Sequence, residues 1–214
     1  MRLCQSPSRS SVRSSRRSRR SARTLAAVVT AAAGLVLAGC SGSAGSGGSS
    51  DHTNYVKGTG LITKVAAKDR TAAVELTGKD LDSKPLDLAA YKGKVVVLNT
   101  WGSWCPPCRA EAEDFESVFK ADQAKGVQFV GLDSRDPQIT QAKLFVQSHG
   151  LTYPSFYDPD GELLLKFPPG TLNPQSIPAT IVLDRQGRVA VRALTPLTAE
   201  QLSAILKPVL AETS

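Results

Sequence analysis

Lys94-Val95-Val96-Val97-Leu98-Asn99, leading through Thr100 into Trp101-Gly102-Ser103-Trp104-Cys105-Pro106-Pro107-Cys108-Arg109, is the stretch from which the rest of the chain can be read. The first segment is a short β-branched apolar run, suited to a strand buried on both faces. Residues 109–125 are rich in Ala, Glu, Asp, Phe and Lys and read as a helix. Two cysteines three positions apart therefore sit where a central strand ends and a helix begins. Thiols so placed can cycle between dithiol and disulfide, so the stretch specifies a chemistry as well as a fold.

The front of the chain tells where that chemistry takes place. Residues 1–39 hold eight arginines, no lysine and no acid, with a nearly unbroken run of small and apolar residues from Thr24 to Ala38. This is the pattern of an export signal. The apolar run of 15 residues is shorter than the ~20 needed for a bilayer-spanning helix. Leu37-Ala38-Gly39-Cys40 resembles the lipobox of bacterial lipoproteins, which implies that Cys40 is lipidated and heads the mature chain. Residues 40–55, rich in Gly and Ser, then form a flexible tether, and 56–214 the folded domain.

Removing the leader changes the charge. The whole chain carries 26 basic and 19 acidic residues, and the eight leader arginines take it from +7 to about −1. No cluster of Lys and Arg with interleaved aromatics remains, so nucleic-acid binding is not expected. Of the four cysteines, Cys4 lies in the leader and Cys40 would carry lipid, leaving Cys105 and Cys108 as the thiols. Outside the cytoplasm no bulk thiol pool keeps such a pair reduced, so a dedicated redox partner is implied.

The exported part is long enough for one domain with a real core. Residues 59–88 read as an N-terminal hairpin, with Ala73-Val74-Glu75-Leu76 as one strand and Lys84-Pro85-Leu86-Asp87-Leu88 as its return. Val127 to Asp133 reads as a second buried strand ending in a loop. Asp136-Pro137 opens a helix with Ile139, Ala142, Phe145 and Val146 on one face, closed by His149-Gly150. Ile181-Val182-Leu183 and Val189-Ala190-Val191 flank the turn Asp184-Arg185-Gln186-Gly187, and Leu202, Ile205, Leu206 and Val209 mark a last amphipathic helix. The expected fold class is α/β, a mixed sheet flanked by helices with an N-terminal hairpin extension.

Trp-Cys-Pro-Pro-Cys after a buried strand, with Ile177-Pro178-Ala179-Thr180 entering a later one, resembles the thioredoxin superfamily. The lipobox and the N-terminal hairpin narrow the resemblance to the membrane-anchored TlpA/ResA-like thiol-disulfide oxidoreductases. It covers roughly residues 59–210. Cys105 and Pro178 are 73 positions apart, which leaves room for the extra helix and strand that this family often inserts.

At the helix N-terminus Cys105 is expected to be exposed and to attack, favoured as a thiolate by the helix dipole, with Cys108 resolving from one turn in. Pro106 and Pro107 suit the first helical turn but have no N–H to offer a thiolate, which leaves the Cys108 amide. The resemblance implies that Pro178 is a cis-proline beside the redox pair and that the Ile177 backbone meets a bound substrate segment. Glu111, one turn past Cys108, is near the active site in the same group and implied to move protons; an acidic first-turn cluster is the plainer reading. Asn99 departs from thioredoxins proper, which place a buried Asp there, and an amide cannot carry that proton. Trp101 and Trp104 are expected to pack core and rim, with Trp104 contacting substrate.

The expected activity is an extracytoplasmic protein thiol-disulfide oxidoreductase, monomeric, reducing disulfides of exported proteins, with apocytochrome c as one target class by resemblance. A membrane donor of DsbD/CcdA type would keep it reduced. No metal and no cofactor beyond the redox disulfide is expected. The alternatives are a disulfide-forming oxidase or a copper-binding chaperone, the latter poorly supplied with Met and His ligands.

Overall fold

A computed structural model describes residues 61–175 and 177–212. The residues read as leader, lipobox and tether, Cys40 among them, lie outside the described residues. Eleven elements follow in the order β1 (Ile62–Lys64), β2 (Thr77–Lys79), β3 (Pro85–Asp87), β4 (Val95–Trp101), α1 (Pro106–Asp122), β5 (Val127–Ser134), α2 (Ile139–Ser148), β6 (Ser155–Asp158), β7 (Ala179–Leu183), β8 (Val189–Ala193) and α3 (Ala199–Leu210), with short 3₁₀ turns between.

Six strands form one sheet in the order β1-β8-β7-β4-β5-β6. β4, β5 and β6 are parallel, whereas β7, β8 and β1 run antiparallel to their neighbours. β4 is central, and all seven of its residues are buried, as its unbroken Val/Leu run requires. Its side chains divide by parity. Val95, Val97 and Trp101 join Phe115, Phe119, Phe145 and Leu206 in the cluster built with α1, α2 and α3. Val96 and Leu98 join Leu76, Leu86, Phe156 and Leu164 in the cluster built with the β2–β3 hairpin and the 3₁₀ turn at Leu163–Lys166. The two β-α-β crossovers run in the same direction along the sheet, and α1 and α2 share one face with α3, while the hairpin covers the other.

The N-terminal hairpin is shorter than the alternation suggested. Ala73–Leu76 belongs to no strand: pairing begins at Thr77, the Leu76 carbonyl accepts the Leu88 amide at 3.0 Å, and the Val74 amide donates to the Gly187 carbonyl at 2.9 Å. α2 begins at Ile139, two residues beyond Pro137, with Gln138 as its cap. The span before Pro178 holds a strand that the sequence did not disclose, β6 at the sheet edge. Its four residues Ser-Phe-Tyr-Asp are too few to show a period. Residues 159–173 contain only a 3₁₀ turn, not a further α-helix. The β7–β8 turn is as read, with Gly187 at φ 79° and its amide donating to the Asp184 carbonyl at 2.8 Å.

Candidate active site

The parallel strands deliver their C-terminal ends to one edge of the sheet, and the redox motif lies there, immediately beyond Trp101. Cys105 is the N-cap of α1, and Pro106 and Pro107 fill the first two helical positions, where no amide is needed. Cys105 and Cys108 form a disulfide with Cα atoms 5.3 Å apart, and Cys105 Sγ accepts the Cys108 amide at 3.3 Å. That amide is the one donor the prolines leave available. Cys105 is only 2% exposed, against the expectation of an exposed first cysteine. The reason is that the disulfide joins the apolar cluster with Trp101 and Ala112.

The loop ahead of Cys105 is tied on several sides. The Cys105 amide donates to the Gly102 carbonyl at 3.0 Å, closing a turn. Asp136, from the β5–α2 loop, accepts the Ser103 amide on Oδ2 and the Ser103 hydroxyl on Oδ1, both at 2.7 Å. Arg109 reaches the Ser103 carbonyl at 3.3 Å. Gly102 lies so close to Trp104 that a Cβ there would be 2.7 Å from the indole Nε1. Trp104 is 49% exposed beside the disulfide, with the Arg135 guanidinium 5.2 Å from its ring centre. Arg135 holds a left-handed backbone at φ 63°, rare for a residue with a side chain.

Beneath the disulfide, Glu111 is 3% exposed. Asn99 Nδ2 donates to its Oε1 at 2.9 Å and the Leu197 amide to its Oε2 at 3.0 Å. Burial raises the Glu111 pKa to about 7, the two hydrogen bonds oppose that rise, and Asp114 adds to it. A solvated acidic cluster at the helix start does not describe such a residue. The amide at position 99, which cannot itself carry a proton, holds the carboxyl that can.

The Ile177–Pro178 peptide is cis. Thr100 holds the segment after it: its Oγ1 donates to the Ala179 carbonyl at 3.1 Å and accepts the Ala179 amide at 3.0 Å. Because Thr100 pairs with Ala179 in the β4–β7 register, Pro178 sits just past the paired strands, at the level of Trp101. Cys105, Cys108, Glu111, Trp104, Ile177 and Pro178 thus belong to one end of the sheet.

Sequence reasoning passed over Thr100, Asp133, Asp136 and Arg135. Asp133 is fully buried, and among the described residues no protein donor reaches either of its oxygens. Its pKa is pushed up to about 9, chiefly by burial, then by a hydrogen bond with Asp136 and the charges of Asp136 and Asp158. The one visible signal was position: Asp133 to Asp136 end a buried parallel strand, where sites in open α/β sheets gather. Among the described residues no group of three or more His, Cys, Asp or Glu is placed to hold a metal ion.

The AhpC/TSA family matches residues 70–192. The thiol-disulfide oxidoreductase ResA of Bacillus thuringiensis (strain Al Hakam) is 32% identical over 130 residues, 61% of this chain and 72% of that protein. A DsbF homologue from Corynebacterium diphtheriae superposes with a TM-score of 0.62 at 35% identity, over 72% of this chain and 96% of its own. A secreted thiol-disulfide isomerase from Corynebacterium glutamicum superposes with a TM-score of 0.64 at 31% identity, over 74% and 98%. The sheet order, the cysteine pair at the end of β4 and these likenesses agree, and the chain belongs to the thioredoxin-fold AhpC/TSA family as a TlpA/ResA-like thiol-disulfide oxidoreductase.

Proposed function

We propose that this enzyme works outside the cytoplasmic membrane, anchored by lipid on Cys40, and that its Cys105–Cys108 pair reduces disulfides of exported proteins. The observation that carries the chemistry is the buried Glu111, one turn past Cys108 and held near neutrality between Asn99 and Leu197. In the reduced enzyme the Cys105 thiolate attacks a substrate disulfide, forming a mixed disulfide and releasing one substrate thiolate. Glu111 takes the Cys108 proton, and the Cys108 thiolate attacks Cys105 Sγ. The second substrate sulfur leaves as a thiolate and is protonated by solvent. Two electrons have passed to the substrate, and the enzyme holds the disulfide.

A membrane dithiol donor of DsbD/CcdA type would return those electrons. Trp104 and the Ile177 backbone belong to the same end of the sheet as the pair, and in this reading they receive the substrate segment, Ile177 as a strand-like edge and Trp104 as an apolar contact. ResA-like kinship and the export signal support the reductive direction and an extracytoplasmic site; apocytochrome c is the target class we favour. Among the described residues no helix is long and apolar enough to cross a membrane, and the Cys40 lipid is the attachment proposed. Likeness to a DsbF homologue and to a secreted isomerase favours, as second reading, disulfide formation or isomerisation.

Direction depends on reduction potential, because the same groups serve both ways by microscopic reversibility. A Cys108→Ser variant expressed in the native cell should accumulate mixed disulfides through Cys105, recovering apocytochromes if the favoured target is right. A potential near the roughly −120 mV of strongly oxidising Dsb proteins would overturn the reductase reading.

A further inference from the structure

The resolving chemistry uses Glu111 but leaves a second buried carboxyl group unexplained. Asp133, next to last in β5, pairs with Trp101 on one side and Tyr157 on the other and is wholly shielded from solvent. With no protein donor at its oxygens among the described residues, nothing there compensates a negative charge. A neutral carboxylic acid has one O–H to give, and the side chain within hydrogen-bonding reach of it is the Asp136 carboxyl. The two Asp136 oxygens each accept one bond from Ser103 and retain lone pairs for another.

We propose that Asp133 and Asp136 form an acid–carboxylate clasp that positions Cys105. The Asp133 hydroxyl holds the Asp136 carboxylate, and Asp136 holds the Ser103 amide and hydroxyl, so that the Gly102–Cys105 turn presents the sulfur at the start of α1. Asp136 is a positioning residue in this arrangement, two loops joined through one side chain. The inference rests on Cys105–Cys108 being the redox pair.

The surroundings favour a single proton on the pair. From β6, the Tyr157 hydroxyl donates to the Asp136 carbonyl at 3.1 Å, and Asp158 is occupied by the Leu163 amide at 3.0 Å. Asp158 adds negative charge near Asp133, as Asp160 does near Tyr157. From α1, Arg109 is directed to the Ser103 carbonyl and not to the carboxylates. Arg135, between the two aspartates in sequence, lies over Trp104. The rise of the Asp133 pKa to about 9 agrees with a neutral acid at physiological pH. Losing that proton would set two carboxylates against each other and open the clasp.

A looser turn places Cys105 less often within reach of Cys108, which weakens the intramolecular disulfide relative to the dithiol. The test is redox equilibration of the full chain against glutathione at pH 7 and pH 10, with melting temperature recorded alongside. Asp136→Asn leaves one acceptor oxygen for two Ser103 donors. Its disulfide equilibrium constant should fall about tenfold, a potential about 30 mV more oxidising. Ser103→Ala removes one contact, leaves both carboxyl groups in place and should shift the constant several-fold in the same sense, which keeps the idea testable if Asp136→Asn does not fold. Asp133→Asn still donates to Asp136 and should stay within twofold of wild type at pH 7. At pH 10 wild type should weaken at least fivefold relative to Asp133→Asn, whose amide does not ionise. Constants for Asp136→Asn and Ser103→Ala within twofold of wild type, whatever their melting temperatures, would overturn the clasp. An Asp133→Asn protein that behaves like Asp136→Asn at pH 7 would overturn the donor assignment. A wild-type protein with no measurable dithiol–disulfide couple would overturn both the clasp and the function on which it rests.

Discussion

Replacing Glu111 by Gln should reverse sign in its effect on stability as pH rises, and the size of that change follows from the burial of the carboxyl. In the folded chain Glu111 titrates at about 7 instead of its ordinary 4.5. Between those values the native state keeps a proton that the unfolded chain has released, so raising pH favours unfolding. The stability that comes from this tighter proton binding is fully present below 4.5 and is lost as pH passes through about 7. The difference of 2.5 between those values corresponds to about 3 kcal/mol. Gln does not titrate.

Gln also has one acceptor oxygen for the two donors, Asn99 Nδ2 and the Leu197 amide, which costs about 1–2 kcal/mol at every pH. The variant should therefore be less stable than wild type near pH 4 and more stable near pH 8. Urea unfolding of both oxidised proteins across that range measures the difference, and the titrating groups they share cancel. A difference constant within about 1 kcal/mol from pH 4 to pH 8 would refute a buried carboxyl with a raised pKa.

Two further substitutions test the frame that carries the site, one at each end of the sheet. Arg70, itself nearly buried, bonds Asp184 at 3.0 Å and Glu212 through both terminal nitrogens, fastening the end of the chain to the β7–β8 turn. Asp184 keeps its bonds from Gln186 and Arg188, so Arg70→Ala should cost about 2 kcal/mol in urea unfolding, less than the loss of a sole partner. No change in the urea midpoint would show that the network is idle. Gly131→Ala would set a methyl group 2.1 Å from Ser155 Oγ and 2.6 Å from Trp101 Nε1. A destabilisation of about 1–3 kcal/mol is expected, together with slower disulfide exchange, because Trp101 leads directly into the redox loop. Wild-type stability in that variant would mean that β6 yields freely.

The residues proposed to carry the reaction were legible because they are contiguous or regularly spaced. An apolar run followed by Trp-Cys-Pro-Pro-Cys places two thiols at a strand end on chain geometry alone, and Glu111 follows one helical turn later. β6 was not legible, since four residues at a sheet edge are defined by their pairing with β5 and not by any period of their own. The cover on the second face was misjudged in extent for the same reason: Ala73–Leu76 alternates like a strand, yet the partner chain for it ends at Leu88.

By itself, then, the sequence determined where the chemistry sits: a cysteine pair at a strand-to-helix junction, and an amide where thioredoxins proper place a proton-carrying Asp. Tertiary structure alone decided how protons and positions are managed around that pair. Asn99 and Leu197 approach Glu111 from separate elements, and Asp136 crosses from the β5–α2 loop to Ser103. The pKa of a carboxyl depends on what surrounds it in space, and residues 12, 33 and 86 positions apart become neighbours only when the sheet closes.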